Sequence, residues 1–79
     1  MRKKEIIEAV ISVSDIAPHA AQDALFDIDN WTLFSSGVYG RFSQKAFVSK
    51  IRKDIERCNE LSMRHKAAQF QAIINQLQP

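Results

Sequence analysis

Apolar residues recur through the second half of the chain at helical spacing. Phe47, Ile51, Ile55, Cys58 and Leu61, with Val48 beside them, are separated by four, four, three and three positions. At about 100° per residue that spacing is one face of an amphipathic helix. Met63, Ala67, Phe70, Ile74 and Leu77 form a second set, bordered by Ile73. On a straight helix this set lies roughly 90° around the axis from the first. Neither Pro nor Gly interrupts Ser43 to Leu77, and good helix formers supply much of it, so residues 43–79 read as one long C-terminal helix or two consecutive ones. Ser43 is the predicted N-cap, with Ala46 where a capping box needs Glu or Gln.

The two faces leave two arrangements open. Either the helix breaks within residues 58–62, with Asn59 or Ser62 capping a second helix, or it stays whole and its second face meets another molecule. Unbroken, it would be ~50 Å long, against a radius of gyration of ~12 Å for a compact chain of this size. It would then protrude, and a protruding apolar stripe needs a partner. The plainer alternative is that Met63 to Leu77 folds back as ordinary core. The expected protein interface is Met63, Ala67, Phe70, Ile73, Ile74 and Leu77.

Residues 1–42 read as a helical N-terminal half. Ile6, Ile7, Val10, Ile11 and Val13 share a broad face from Lys3 to about Ser14, opposite Lys4, Glu5 and Glu8. Asp15 is the expected N-cap of a second helix, with Pro18 in its first turn. Ala20, Ala21, Ala24, Leu25 and Ile28 supply its apolar face, and Asp23 and Asp27 point away. Residues 31–42 are ambiguous between a helical turn with an irregular connection and a short β-hairpin, WTLF against VYGRF across Ser35-Ser36-Gly37. Trp31, Phe34, Tyr39 and Phe42 are expected to plug the core there. The fold expected is all-α: a single domain over 1–79, a bundle of three to four helices with a dominant C-terminal one.

Composition supports this without sharpening it. Seventy-nine residues, 46% hydrophobic and 25% charged, suit one soluble domain of marginal core, for which oligomerisation is a natural supplement. The lone cysteine, Cys58, forms no intrachain disulfide and fits a cytoplasmic location. No stretch approaches the ~20 apolar residues of a membrane span, so no membrane partner is expected. Charge changes the picture more. Residues 5–40 hold six acids and no Lys or Arg, whereas residues 41–79 hold eight bases and three acids. The acidic half can thus lie against basic helices of its own chain or of a neighbour.

Catalytic chemistry finds little support. His19 and His65 lie in different segments, and Cys58 sits on an apolar face without an adjacent base. No ligand spacing suggests a metal, no glycine loop suits a phosphate, and Asp23 with Asp27 reads as a solvated helix face. Neither an enzyme nor a cofactor or small-molecule substrate is expected. Lys45, Lys50, Lys53, Arg57 and Arg64 form a broken basic stripe on the long helix that could follow phosphates, at a sequence pI of only 8.9. The leading expectation is a small regulator that self-associates, as a dimer, and binds a protein target through the last third of the chain. An antirepressor or anti-activator that sets Asp15–Asp29 against a DNA-binding protein is one form of it. Direct DNA or RNA binding is the alternative.

Overall fold

The amphipathic segments fold as α1 (Lys3–Ser12), α2 (Pro18–Asp29), α3 (Trp31–Ser35), α4 (Gln44–Glu60) and α5 (Arg64–Leu77). The computed structural model describes residues 1–35 and 38–78, and no strand occurs among them. The all-α expectation holds, but five helices replace the expected three or four. Trp31–Ser35 is helical, which removes the hairpin's first strand; its proposed turn at Ser36-Gly37 lies outside the described residues. The other extra helix comes from splitting the long C-terminal segment.

The split is made by a helix C-terminus rather than by a new N-cap. The backbone N–H of Met63 donates to the Cys58 carbonyl at 2.7 Å and that of Ser62 to Asn59 at 3.1 Å. Ser62 sits at φ +58°. These are the two bonds and the left-handed residue of a Schellman turn, a place usually taken by glycine. Neither Asn59 nor Ser62 caps α5; its N-cap residue is Met63, with no side-chain hydrogen bond. Ser43 does cap α4, its hydroxyl accepting from the Ala46 N–H at 3.0 Å.

The start of α2 also departs from the local expectation. Overlapping turns carry the chain past Asp15, Ala17 takes the N-cap position and Pro18 the first helical one. The orphan N–H groups of His19 and Ala20 donate to Gln69 Oε1 of α5 at 2.9 and 3.1 Å. The cap comes from fifty residues away, beyond the reach of any local pattern.

Reversal at Ser62 lays α5 against α4, α2 and α1. Ala67, Phe70, Ile73, Ile74 and Leu77 are all buried there, beside Ile6, Val10, Ala24, Ile28, Phe47 and Ile51. Trp31 closes the cluster, its ring edge-on to Phe42 at 5.2 Å and its indole N–H donating to the Gly40 carbonyl at 2.8 Å. Gly40 has φ +70° with open space where a Cβ would stand, so its backbone angle alone calls for glycine. The radius of gyration is 11.6 Å, far too small to hold an unbroken helix of ~50 Å.

Candidate functional site

Residues at helical spacing on three elements converge on a cleft at the C-terminal end of α4. Asp23, Phe26 and Asp27 enter from α2, Lys50, Asp54, Arg57 and Cys58 from α4, and Lys66 and Phe70 from α5, while Leu61 and Met63 come from the Schellman turn. Spacings of three and four stack each set on one side of its helix. The cleft encloses about 360 Å³.

Its floor is a charge cluster. Lys50 Nζ lies 2.6 Å from Asp27 Oδ2 and 2.8 Å from Asp54 Oδ2. Asp27 is the buried charged residue, only 8% exposed. Burial works against the Lys50 ammonium, but its hydrogen bonds to Asp27 and Asp54 outweigh that and hold its pKa above the ordinary lysine value. Asp54 is pushed above the usual carboxylate range, chiefly by burial and further by the charges of Asp27 and Asp23, with Lys50 opposing. The cluster is a tight pair, Asp27 with Lys50, and a second carboxylate that solvates poorly.

The walls carry a second pair. Lys66 Nζ meets Asp23 Oδ2 at 2.6 Å and stands over the Phe70 ring, 6.0 Å from its centre. The hydrogen bond to Asp23 raises the Lys66 pKa, against a smaller effect of burial. These contacts realise the expected meeting of acidic and basic halves within one chain. Arg57 is different: among the described residues it has no ion pair. The lip is apolar, with Phe26 56%, Leu61 57% and Met63 42% exposed.

Lys50 is held as an ammonium and so offers no lone pair for nucleophilic attack, and the Cys58 thiol is buried. Among the described residues no group of three or more metal-ligating side chains comes together.

The residues expected to form a protein interface lie elsewhere than expected. Ala67, Phe70, Ile73, Ile74 and Leu77 are at most 7% exposed, so the stripe is core in this chain and offers no free face. Met63 alone reaches the surface, at the lip of the cleft. The broken turn is the reason: it rotates the second stripe onto the same core as the first. The basic stripe is dispersed as well. Lys50 is consumed by Asp27 and Asp54, Lys53 pairs with Glu56 at 3.7 Å, and Arg57 faces the cleft. Lys45 and Arg64 are exposed near opposite ends of the α4–α5 pair. Phe26 was missed by the sequence reading, although an aromatic residue between Asp23 and Asp27, on the polar side of α2, is a legible signal. The pairing of Lys50 with Asp54 at i,i+4 was equally legible; that Asp27 joins them was not.

Comparison with protein-family models, curated proteins and solved structures found no match for this chain. Among the described residues no helix is long and apolar enough to cross a membrane.

Proposed function

We propose that this chain is a small non-enzymatic regulatory protein that acts by binding another protein, with the cleft between α2, α4 and α5 as its contact surface. One observation carries the reading: three large apolar side chains, Phe26, Leu61 and Met63, ring a cavity whose own charges are mostly paired with each other. Clustered exposed apolar groups beside a concavity are the usual mark of an interface, whereas isolated ones are not. The occupant we assign is a helix of a partner protein. It inserts a bulky apolar side chain between Phe26 and Leu61 and sets an Asp or Glu one turn away against Arg57, which has no acid of its own among the described residues. The narrower version, an inhibitor that turns its acidic stretch toward a DNA-binding surface, has less to rest on, since Asp23 and Asp27 are already engaged by Lys66 and Lys50.

Selection from a displayed library of random peptides tests this. Retained peptides should share a large apolar residue and a nearby acid, and Leu61→Asp or Phe26→Ser should abolish their binding without unfolding the protein. Peptides that bind wild type and both variants equally would remove the cleft from consideration. A measured mass of twice 9.0 kDa, reverting to one copy in Leu61→Asp, would make a second copy of the chain the occupant.

A further inference from the structure

We infer that the opposite end of α4 is a second binding surface, which follows the phosphodiester backbone of nucleic acid without reading its sequence. Two contacts bring the start of the chain to the start of α4. The Met1 amine donates to Gln44 Oε1 at 3.0 Å, and Lys3 Nζ stands over the Phe42 ring, 5.8 Å from its centre. Arg2 and Lys4 flank Lys3, Arg41 adjoins Phe42, and Lys45 adjoins Gln44. Five cations separated by some forty residues of sequence thus share one end of the molecule. All five are exposed, and among the described residues none has an ion pair. Glu5 is the acid in these two segments, and its Oε1 accepts from the Arg2 backbone N–H. Residues 1–5 and 41–45 carry five bases against one acid, while the rest of the chain holds six bases against eight acids.

A second, independent feature points the same way. The N-termini of α1, where Glu5 accepts from the Arg2 N–H, and of α4, capped by the Ser43 hydroxyl, converge on this patch and bring the positive ends of two helix dipoles to it. Lys3 and Lys4 occupy the first turn of α1 and Lys45 that of α4, positions where a cation opposes the dipole and an acid would help folding. Charge placed against the interest of the fold is what an anion-binding surface requires. The recognition is of backbone rather than bases. Gln44, the residue best suited to a base edge, is committed on both sides: its Oε1 to Met1, its Nε2 to the Leu77 carbonyl at 3.1 Å. An acidic membrane is the poorer fit. Ile6, Ala9 and Val10 of α1 are buried, and the exposed large apolar residues nearest these segments, Met1, Ile11 and Val38, form no continuous stripe to insert.

Fluorescence anisotropy of a short labelled DNA duplex, and of a single strand of the same length, tests the inference. With about four phosphates neutralised, affinity for the duplex should fall roughly a hundredfold between ~50 and ~200 mM salt. Lys4→Glu and Lys45→Glu should each weaken binding at least severalfold and lower the logarithmic salt slope by about one. Arg64→Glu makes the same change of charge, also in a helix's first turn, but at the far end of α5, and should leave the slope unchanged. Thermal melts keep folding out of the result, since an acid at each of these positions favours its helix. The inference fails if no binding occurs at low salt. It fails equally if Arg64→Glu weakens binding as much as Lys45→Glu. Capture by phosphatidylserine vesicles with no affinity for either nucleic acid would assign the patch to a membrane surface instead.

Discussion

Helix α4 begins and ends in opposite circumstances. At its C-terminal end the charges are numerous but, Arg57 apart, spent on each other, Lys50 with Asp27 and Asp54 and Lys66 with Asp23, and the exposed lip is apolar. At its N-terminal end the apolar rings are turned inward onto Trp31, and the exposed surface is a set of five cations beside a single acid, Glu5. Net charge does not register the contrast, because +2 for the whole chain averages a basic end with a slightly acidic remainder. A surface satisfied internally recruits through desolvation, which salt leaves nearly untouched; an unsatisfied one recruits through counterion release, which salt abolishes.

The largest expected effect erases the comparison altogether. Phe70→Ala opens a cavity in the helix that supports both ends and should cost about 3–5 kcal/mol in urea unfolding. A loss below about 1 kcal/mol would return the C-terminal stripe to the surface.

Lys50→Met attacks only the cleft end. It strands Asp27 and Asp54 in each other's company and should cost about 2–4 kcal/mol at neutral pH. The deficit should shrink in acid: with the opposing ammonium gone the already raised Asp54 pKa rises further, so a proton binds the folded form preferentially and stability recovers as pH falls. In the native protein Asp54 already carries a raised pKa, so its own contribution weakens as pH rises from the ordinary aspartate value through the raised one. Asp54→Asn should remove that dependence at little or no loss at neutral pH, and urea titrations across the acid range read both signs.

Smaller effects sharpen the picture. Ser62→Gly relieves a left-handed residue and should raise stability by about 1 kcal/mol while leaving peptide binding at the lip intact. Lys45→Glu should gain about 0.5 kcal/mol from the α4 dipole while weakening attachment to DNA. A protein made more stable by losing its ligand would distinguish a functional charge from a structural one.

Much of the fold is legible in residue spacing. Most of the apolar faces of α1, α2 and α4 follow from periodicity, and the Ser43 cap from its side chain. Ile11 and Leu61 of those sets are exposed, however, and Asp27, expected to point away from the apolar face of α2, is buried against Lys50. The expected break falls where the two stripes lose phase. What misleads is the inference that a second stripe needs a second molecule. That step treats the helix as rigid, whereas a three-residue turn with a serine in a glycine position lets the chain cover itself. No glycine stands there to announce the reversal. The cleft is legible only in fragments, as Phe26 among acids and Lys50 ahead of Asp54, because its assembly depends on how α5 returns. The basic end is invisible to local reading, since Arg2–Lys4 and Arg41–Lys45 meet only in three dimensions.

The hydrogen bonds from His19 and Ala20 to Gln69 bear on how the chain is made. Gln69 is made after α2 and α4, so α2 leaves the ribosome without the group that satisfies its opening turn. Ile6, Val10, Ala24 and Phe47 wait with it, uncovered until α5 leaves the ribosome. The shared core is complete only once α5 is present. Removal of residues 64–79, which include α5, should therefore leave not a smaller version of this protein but an unfolded one.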